Sequence, residues 1–84
     1  MPQHTFNVLI SPTVITAGGM IRKSRWLSSS PQEETEVDVY TRKFILEVKV
    51  NGRTRTVRVL ENGEELFSHQ GTVDTDDFST SFKV

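Results

Sequence analysis

Cysteine is absent from this 84-residue chain, and histidine occurs only at His4 and His69. The missing thiols exclude a disulfide framework, and two isolated histidines exclude a Cys/His zinc site. A domain of this size buries only a little over ~60% of the surface of its unfolded chain, so its margin of stability is small. Because neither disulfides nor zinc can stabilise it, we expect self-association or a partner protein to do so.

Long apolar runs are also missing. No apolar stretch reaches the ~18 residues of a membrane-spanning helix, so no transmembrane segment is predicted. Residues 1–14 have neither the basic start nor the continuous apolar stretch of a signal peptide. On these grounds we expect a soluble protein that is located in the cytoplasm and makes no contact with a membrane.

Charge is nearly balanced over the whole chain, with a formal net charge of −1. Such a balance argues against bulk electrostatic capture of nucleic acid. The distribution is uneven, because residues 1–32 contain three bases and no acid whereas residues 33–84 contain eleven acids and seven bases. An asymmetry of this kind can orient a partner or a neighbouring subunit.

Alanine, the best helix former, occurs once, whereas the chain has ten valines, ten threonines and four isoleucines. β-Branched side chains suit a pleated sheet better than a helix, so this composition predicts strands. Alternating or β-branched runs give candidate strands at residues 6–10, 14–16, 20–27 and 78–84. Gly18-Gly19 predicts a tight turn between the second and third of these runs.

Two Asn-Gly pairs, Asn51-Gly52 and Asn62-Gly63, carry the strongest local signal. Asn-Gly tolerates the two positive-φ positions of a type I′ turn, so each pair predicts a β-hairpin. Together they predict a three-stranded meander from about Lys43 to Gln70.

The predicted turns set the strand register. A two-residue turn at Asn51-Gly52 pairs Val50 with Arg53 and Val48 with Arg55, which places both arginines on the apolar face at the hairpin tip. The same register pairs Leu46 with Val57 and Phe44 with Val59. At the second turn, a two-residue loop and a three-residue loop with a bulge are both compatible with the sequence; the choice decides whether Leu66 or Phe67 enters the core, and Leu66 is favoured.

Two segments interrupt the strand pattern. The apolar residues change parity between Val39 and Phe44, which predicts a bulge or break at Thr41-Arg42-Lys43 or, alternatively, a projecting hairpin arm that pairs with another chain. The Ser-rich, acidic segment at about 28–35 predicts a loop. A single helical turn capped by Ser30 and closed by Glu33 is the alternative there.

These patterns predict one all-β domain over residues 1–84. Its fold is expected to be a small single-domain β-barrel or β-sandwich of six to seven mostly antiparallel strands, with the Asn-Gly meander in its C-terminal part.

No constellation for catalysis, cofactor binding or metal binding is found. A nucleophile needs a base held by a third group, but His4 lies near the terminus and His69 lies in a predicted strand. The acidic run that begins at Asp74 superficially resembles a calcium loop. Its fifth and sixth positions are Phe78 and Ser79, where an oxygen ligand and Gly are required. We therefore expect that the protein is not an enzyme and holds no cofactor.

The remaining class is recognition through a surface or a sheet edge. The sequence favours a non-enzymatic protein–protein interaction module (an adaptor, an inhibitor or an assembly subunit) that binds another protein, itself, or both. Arginine and tyrosine are enriched at binding surfaces. The candidate partner-binding residues are Tyr40, Arg42, Lys43, Arg53 and Arg55.

The alternative is a small β-barrel that binds single-stranded nucleic acid. Arg22, Lys23 and Arg25 lie next to the only tryptophan, Trp26. Proteins that bind single strands combine cationic grooves with aromatic stacking platforms. The competing interpretation is that Trp26, which shares parity with Met20, packs in the core.

Trp26 fluorescence separates these two hypotheses. A stacking Trp26 is quenched by short oligonucleotides, and Trp26→Ala then weakens binding roughly 5- to 150-fold because stacking contributes ~1–3 kcal/mol per base. We expect a blue-shifted emission that oligonucleotides leave unchanged, together with a loss of ~3–5 kcal/mol in the free energy of unfolding of Trp26→Ala. Quenching by oligonucleotide, weakened by salt, would contradict the core assignment.

Overall fold

The computed structural model describes residues 3–23 and 32–84, with residues 20–23 described by their backbone alone. Within these ranges the chain forms strands and no helix. Eight strands are found: β1 Thr5–Ile10, β2 Val14–Ala17, β3 Met20–Lys23, β4 Gln32–Val39, β5 Arg42–Asn51, β6 Thr54–Glu61, β7 Glu64–Thr72 and β8 Phe78–Lys83. None of the described segments is a helix long and apolar enough to cross a bilayer.

The strands form two antiparallel sheets. Sheet A has the order β3-β2-β1-β8 and sheet B the order β4-β5-β6-β7. The all-β prediction is therefore confirmed, and the architecture is a sandwich of two open sheets rather than a closed barrel. Among the described strands, the outermost ones are β3 and β8 in sheet A and β4 and β7 in sheet B.

The core lies between the two sheets and follows the period-2 alternation of the strands. Its fully or almost fully buried side chains are Phe6, Val8, Ile10, Ile15, Ala17, Val37, Phe44, Leu46, Val48, Val57 and Val59. The predicted inward face of the last strand is confirmed, since Phe78, Phe82 and Val84 pack against this core.

Aromatic rings join the two sheets. Phe82 of β8 stacks on Phe6 and on Phe67, with ring centroids 5.3 and 5.7 Å apart. Phe44 of sheet B meets Phe6 edge-on at 4.9 Å. Aromatic pairs in these geometries stabilise a fold beyond the burial of their area, so they fix the inner face of β8.

The first Asn-Gly turn lies one position later than predicted. Asn51 pairs with Thr54, so the loop residues are Gly52 and Arg53, and Gly52 alone of these two has a positive φ, of 65°. Glycine in the first loop position is the requirement of a type II′ turn, which serves a hairpin as well as type I′ does. The predicted register was wrong: Val50 pairs with Arg55, and Val48 pairs with Val57.

The second Asn-Gly turn is the two-residue form. Asn62 and Gly63 both have positive φ, 52° and 80°, and Glu61 pairs with Glu64. A β-bulge follows, because Leu60 pairs with Glu65 whereas Val59 pairs with Phe67. The extra residue is Leu66, and both Leu66 and Phe67 pack against the core.

The parity change after Val39 results from a hairpin turn. Tyr40 and Thr41 both have positive φ, 59° and 58°, and Val39 pairs with Arg42. The break therefore lies at the start of the predicted segment, and it divides residues 37–50 between two strands. Ser30 and the Ser-rich part of the 28–35 segment lie outside the described residues. Its acidic part belongs to β4, so the predicted loop, and the helical turn closed by Glu33, were wrong for residues 32–35.

The β2–β3 turn gives a stability prediction with a matched control. Gly18 and Gly19 both have positive φ, but a Cβ on Gly18 would lie 2.9 Å from the Phe6 ring and 3.1 Å from Val37 Cγ1, whereas a Cβ on Gly19 meets nothing within 4 Å. Both alanine substitutions carry the cost of the left-handed backbone, about 1–2 kcal/mol. Gly18→Ala also overpacks the core, which costs roughly 1–3 kcal/mol more. Equal unfolding free energies in urea would contradict this packing.

Candidate interaction surface

Arg55, predicted to lie at a partner-binding surface, is fully buried. Its register with Val50 keeps it on the inner face of sheet B, and its exposed fraction is 0%. Its Nη2 donates a hydrogen bond of 3.0 Å to the carbonyl oxygen of Ser11. Burial lowers the pKa of the guanidinium, while the Asp76 carboxylate acts in the opposite direction. The assignment of Arg55 to an exposed binding surface was therefore wrong.

Asp76 supplies the opposite charge. It lies in the connection between β7 and β8, and its side chain is 8% exposed, with Oδ2 3.7 Å from Arg55 Nη2. The same carboxylate is 2.9 Å from His69 Nε2, and the His69 ring stacks on Phe78 at 4.1 Å. A buried charge is tolerated only with a partner in good geometry, so this cluster fastens the β7–β8 connection to the core.

The other predicted partner residues divide between the two ends of sheet B. Tyr40, Arg42 and Lys43 lie at the β4–β5 turn, whereas Arg53 lies at the β5–β6 turn, beyond the ten residues of β5. At ~3.3 Å per residue this separates them by about 30 Å. Tyr40 is 39% exposed. Sequence proximity therefore does not bring the five residues together in one surface.

Most of these residues have intramolecular partners. Arg42 donates two hydrogen bonds to Glu61, of 2.8 and 2.5 Å, which lower the pKa of that carboxyl below its ordinary value. The pair therefore stabilises the fold above the ordinary pKa, and this contribution is lost as the pH falls through the lowered one. Tyr40 Oη donates to the carbonyl oxygen of Thr5 at 2.7 Å. Arg53 forms an ion pair with Asp74.

The residues of the nucleic-acid hypothesis are described only in part. Arg22 and Lys23 occupy the last two positions of β3, where the register sets Arg22 opposite Ile15 and Lys23 opposite Val14. Arg25 and Trp26 lie outside the described residues. The structure therefore places the backbone of two of the four residues on β3, the outermost strand of sheet A within the described part of the chain.

The outer face of sheet B carries ion pairs around the cross-strand pair of Ile45 and Leu60. Arg58 Nε lies 3.2 Å from a carboxylate oxygen of Glu47 and 3.2 Å from one of Glu65. Lys43 approaches Glu36 at 3.9 Å. A lattice of alternating charges keeps a sheet face in water, so this face is the solvated one.

The outer face of sheet A has a different chemistry. The register aligns Leu9 with Thr16 on one side and with Ser79 on the other, and Leu9 is 48% exposed. These residues, with Asn7 and Ser81, line a shallow depression of about 500 Å³. Lys83 is the single charge among the described side chains that β1, β2 and β8 present here.

β8 borders this neutral face and is an open edge. Within the described part of the chain its one neighbour is β1. His4 and Val84 exchange two backbone hydrogen bonds, of 3.3 and 2.9 Å, and such reciprocal pairs alternate with non-hydrogen-bonded pairs along an antiparallel ladder. Even-numbered residues of β8 therefore bond to β1, and Ser79 and Ser81 direct their N–H and C=O groups outward.

Two other edges carry the protections that are usual for edge strands. β4 contains four acids, Glu33, Glu34, Glu36 and Asp38, and β7 contains the bulge at Leu66. Charges and bulges both discourage pairing with another strand. β8 has neither between Phe78 and Phe82, and all six of its residues pair with β1 in unbroken register.

No local sequence pattern marks the β8 edge as a site. β8 was recognised as a strand, but its status as an edge follows from sheet order, which is a non-local property. A signal was present in the alternation of serine with phenylalanine and threonine, which marks a strand with a small, neutral outer face.

The buried ion pair gives a prediction with a control in the same loop. Asp76→Asn leaves the Arg55 charge buried without its counter-ion, which is expected to cost ~3–5 kcal/mol of unfolding free energy. Asp74→Asn breaks the exposed pair with Arg53 (73% and 51% exposed) and should cost at most about 1 kcal/mol. Chemical denaturation measures both variants. Similar losses in the two would show that Asp76 does not balance a buried charge.

Comparison of this chain with protein-family models, with curated proteins and with solved structures finds no match. The features that bear on function are therefore those of the fold itself: a neutral sheet face, an open edge beside it, and a charged face on the opposite side.

Proposed function

We propose that this protein is a non-enzymatic protein–protein interaction module that binds a partner strand along the open edge of β8. It acts as an adaptor, an inhibitor or an assembly subunit, and it works in the cytoplasm. The observation that carries the proposal is the outward direction of the Ser79 and Ser81 backbone groups on an edge that has neither charge nor bulge between Phe78 and Phe82.

Strand addition is a general mode of recognition. Main-chain hydrogen bonds supply affinity, and alternate side chains of the added strand supply specificity. An edge that is already fixed in an extended conformation binds without the cost of ordering it. The Phe78 and Phe82 rings hold β8 in this way, through their stacking on Phe67.

The neutral face beside the edge extends the surface. A strand added to β8 continues sheet A, and its outward side chains come next to Ser79, Ser81 and, one strand further, Leu9. Interface cores are depleted of charge, whereas exposed Lys and Glu mark the rest of a surface. The outer face of sheet A agrees with this pattern better than the outer face of sheet B does.

A proline at position 81 tests the proposal. The Ser81 N–H points away from β1, so Ser81→Pro removes an edge donor and leaves the β1–β8 ladder intact. We expect tagged wild-type protein to retain bound chains from an extract of its own cells, or to self-associate in light scattering, and Ser81→Pro to lose this binding. Ser81→Ala, which keeps the N–H, is the matched control and should bind as the wild type does.

Circular dichroism and thermal unfolding establish that the proline variant is folded. Binding that Ser81→Pro and Ser81→Ala retain equally would overturn the assignment of the β8 edge. A wild-type chain that stays monomeric and captures nothing would overturn the proposed function itself.

A further inference from the structure

The first five residues of β8 form a palindrome. Residues 78–82 read Phe-Ser-Thr-Ser-Phe, with Thr80 at the centre. An antiparallel strand pair with two-fold symmetry sets residues on either side of the axis opposite each other. With the axis at Thr80, Thr80 faces Thr80 of a second copy, Ser79 faces Ser81, and Phe78 faces Phe82.

The positions at which β8 directs its backbone N–H and C=O groups outward agree with this arrangement. Ser79 and Ser81 direct their N–H and C=O groups outward, as the reciprocal His4–Val84 bonds require. Pairing about Thr80 sets Ser79 opposite Ser81 of the second copy, so the groups that point outward on one edge meet those that point outward on the other. Thr80 then forms the non-hydrogen-bonded pair on the axis, where Cα atoms approach to about 4.5 Å.

The faces of the two sheets also match. Side chains alternate with a period of two, so a register shifted by one residue would set the core face of one copy beside the solvent face of the other. Phe78, Thr80 and Phe82 are partly buried on the inner face, whereas Ser79 and Ser81 are exposed. Pairing about Thr80 keeps phenylalanine next to phenylalanine on the inner side and serine next to serine on the outer side.

The residues at the two ends of the palindrome have opposite charges. Asp77 precedes Phe78, Lys83 follows Phe82, and both are exposed. The two-fold register sets Lys83 of one copy opposite Asp77 of the other, and the reverse at the far end. Oppositely charged residues across an antiparallel pair are stabilising, whereas like charges there are destabilising.

We propose that two copies of this chain pair through β8 in an antiparallel register centred on Thr80, which joins their A sheets into one eight-stranded sheet. The proposal rests on the proposed function and names the partner as a second copy. The interface is isologous, with two Lys83–Asp77 pairs that flank the serine ladder.

Cysteine cross-linking tests the register, and the absence of native cysteine makes the readout clean. Thr80→Cys should form a disulfide-linked dimer under mild oxidation, because the two positions face each other within the Cα separation that a disulfide accepts. A mixture of Ser79→Cys and Ser81→Cys should form the mixed dimer. Ser81→Cys alone is the matched control and should cross-link poorly, because its two copies lie diagonally at about 7–8 Å.

Positions 79 and 81 lie on the exposed face, whereas position 80 is partly buried. Cross-linking of the two serine variants therefore tests the register without a change in the core. Equal cross-linking of Ser81→Cys alone and of the mixture would overturn the register centred on Thr80.

A charge exchange gives an independent readout in solution. Asp77→Lys sets two pairs of like charges across the interface and is expected to raise the dimer Kd roughly 2- to 30-fold, from about 1.4- to 5-fold for each pair lost. Lys83→Asp sets two aspartates opposite each other in the same way and should raise the dimer Kd by a similar factor. The double variant Asp77→Lys/Lys83→Asp restores opposite charges and should return the Kd to that of the wild type. Sedimentation equilibrium at low salt measures all four proteins.

The outcomes separate this proposal from the function on which it rests. In one outcome the wild-type chain remains monomeric but captures a different protein, and Ser81→Pro abolishes that binding. This outcome overturns the assignment of a second copy as the partner and supports strand addition at the β8 edge. A dimer that neither the cysteine pairs nor the charge exchange affects overturns the β8 register. A wild-type chain that neither dimerises nor captures another protein overturns both proposals.

Discussion

The two sheets and the β7–β8 connection meet at one buried guanidinium group. Arg55 projects into the core from the second position of β6, donates to Ser11 at the β1–β2 turn, and faces Asp76 in the β7–β8 connection. Removal of a charge from water is tolerated only when its partners are held in place. This contact therefore anchors the connection through which the chain crosses from sheet B to sheet A, while the Phe6 and Phe67 rings position β8.

β8 is held from one side and open on the other. Its inner rings stack on Phe67 and Phe6, its ladder to β1 runs without a break, and its outer residues between Phe78 and Phe82 are small and neutral. A strand fixed in this way is preorganised for pairing, since little conformational entropy remains to be lost. The charged outer face of sheet B keeps the opposite side of the domain in water, so the sandwich presents two faces of contrasting chemistry.

The predicted partner surface shows what local sequence patterns leave undetermined. Arginine and tyrosine composition pointed to five residues, yet Arg42 is bound to Glu61, Arg53 is paired with Asp74 and Arg55 is buried. Glu61 and Asp74 each lie about twenty residues along the chain from the arginine they pair with, beyond the reach of a turn or a single hairpin pattern. Parity correctly placed Arg55 on the apolar face, but the depth of its burial depends on the loop that covers it.

The sequence by itself determined the all-β class, the parity of the strands and the presence of the glycine turns, because backbone dihedral limits and the period of two act within a few residues. The predicted turn at Asn51-Gly52 and the observed turn at Gly52-Arg53 place the same side chains on the same face of the hairpin. Residue alternation therefore does not distinguish the two registers, and cross-strand packing in the folded chain selects one of them. At the Tyr40–Thr41 turn, the Tyr40 hydroxyl donates to the carbonyl oxygen of Thr5 in the other sheet, a contact that no local pattern predicts. Sheet order decided that β8 is an edge, because an edge is defined by the neighbour that a strand lacks, and only the folded chain assigns neighbours.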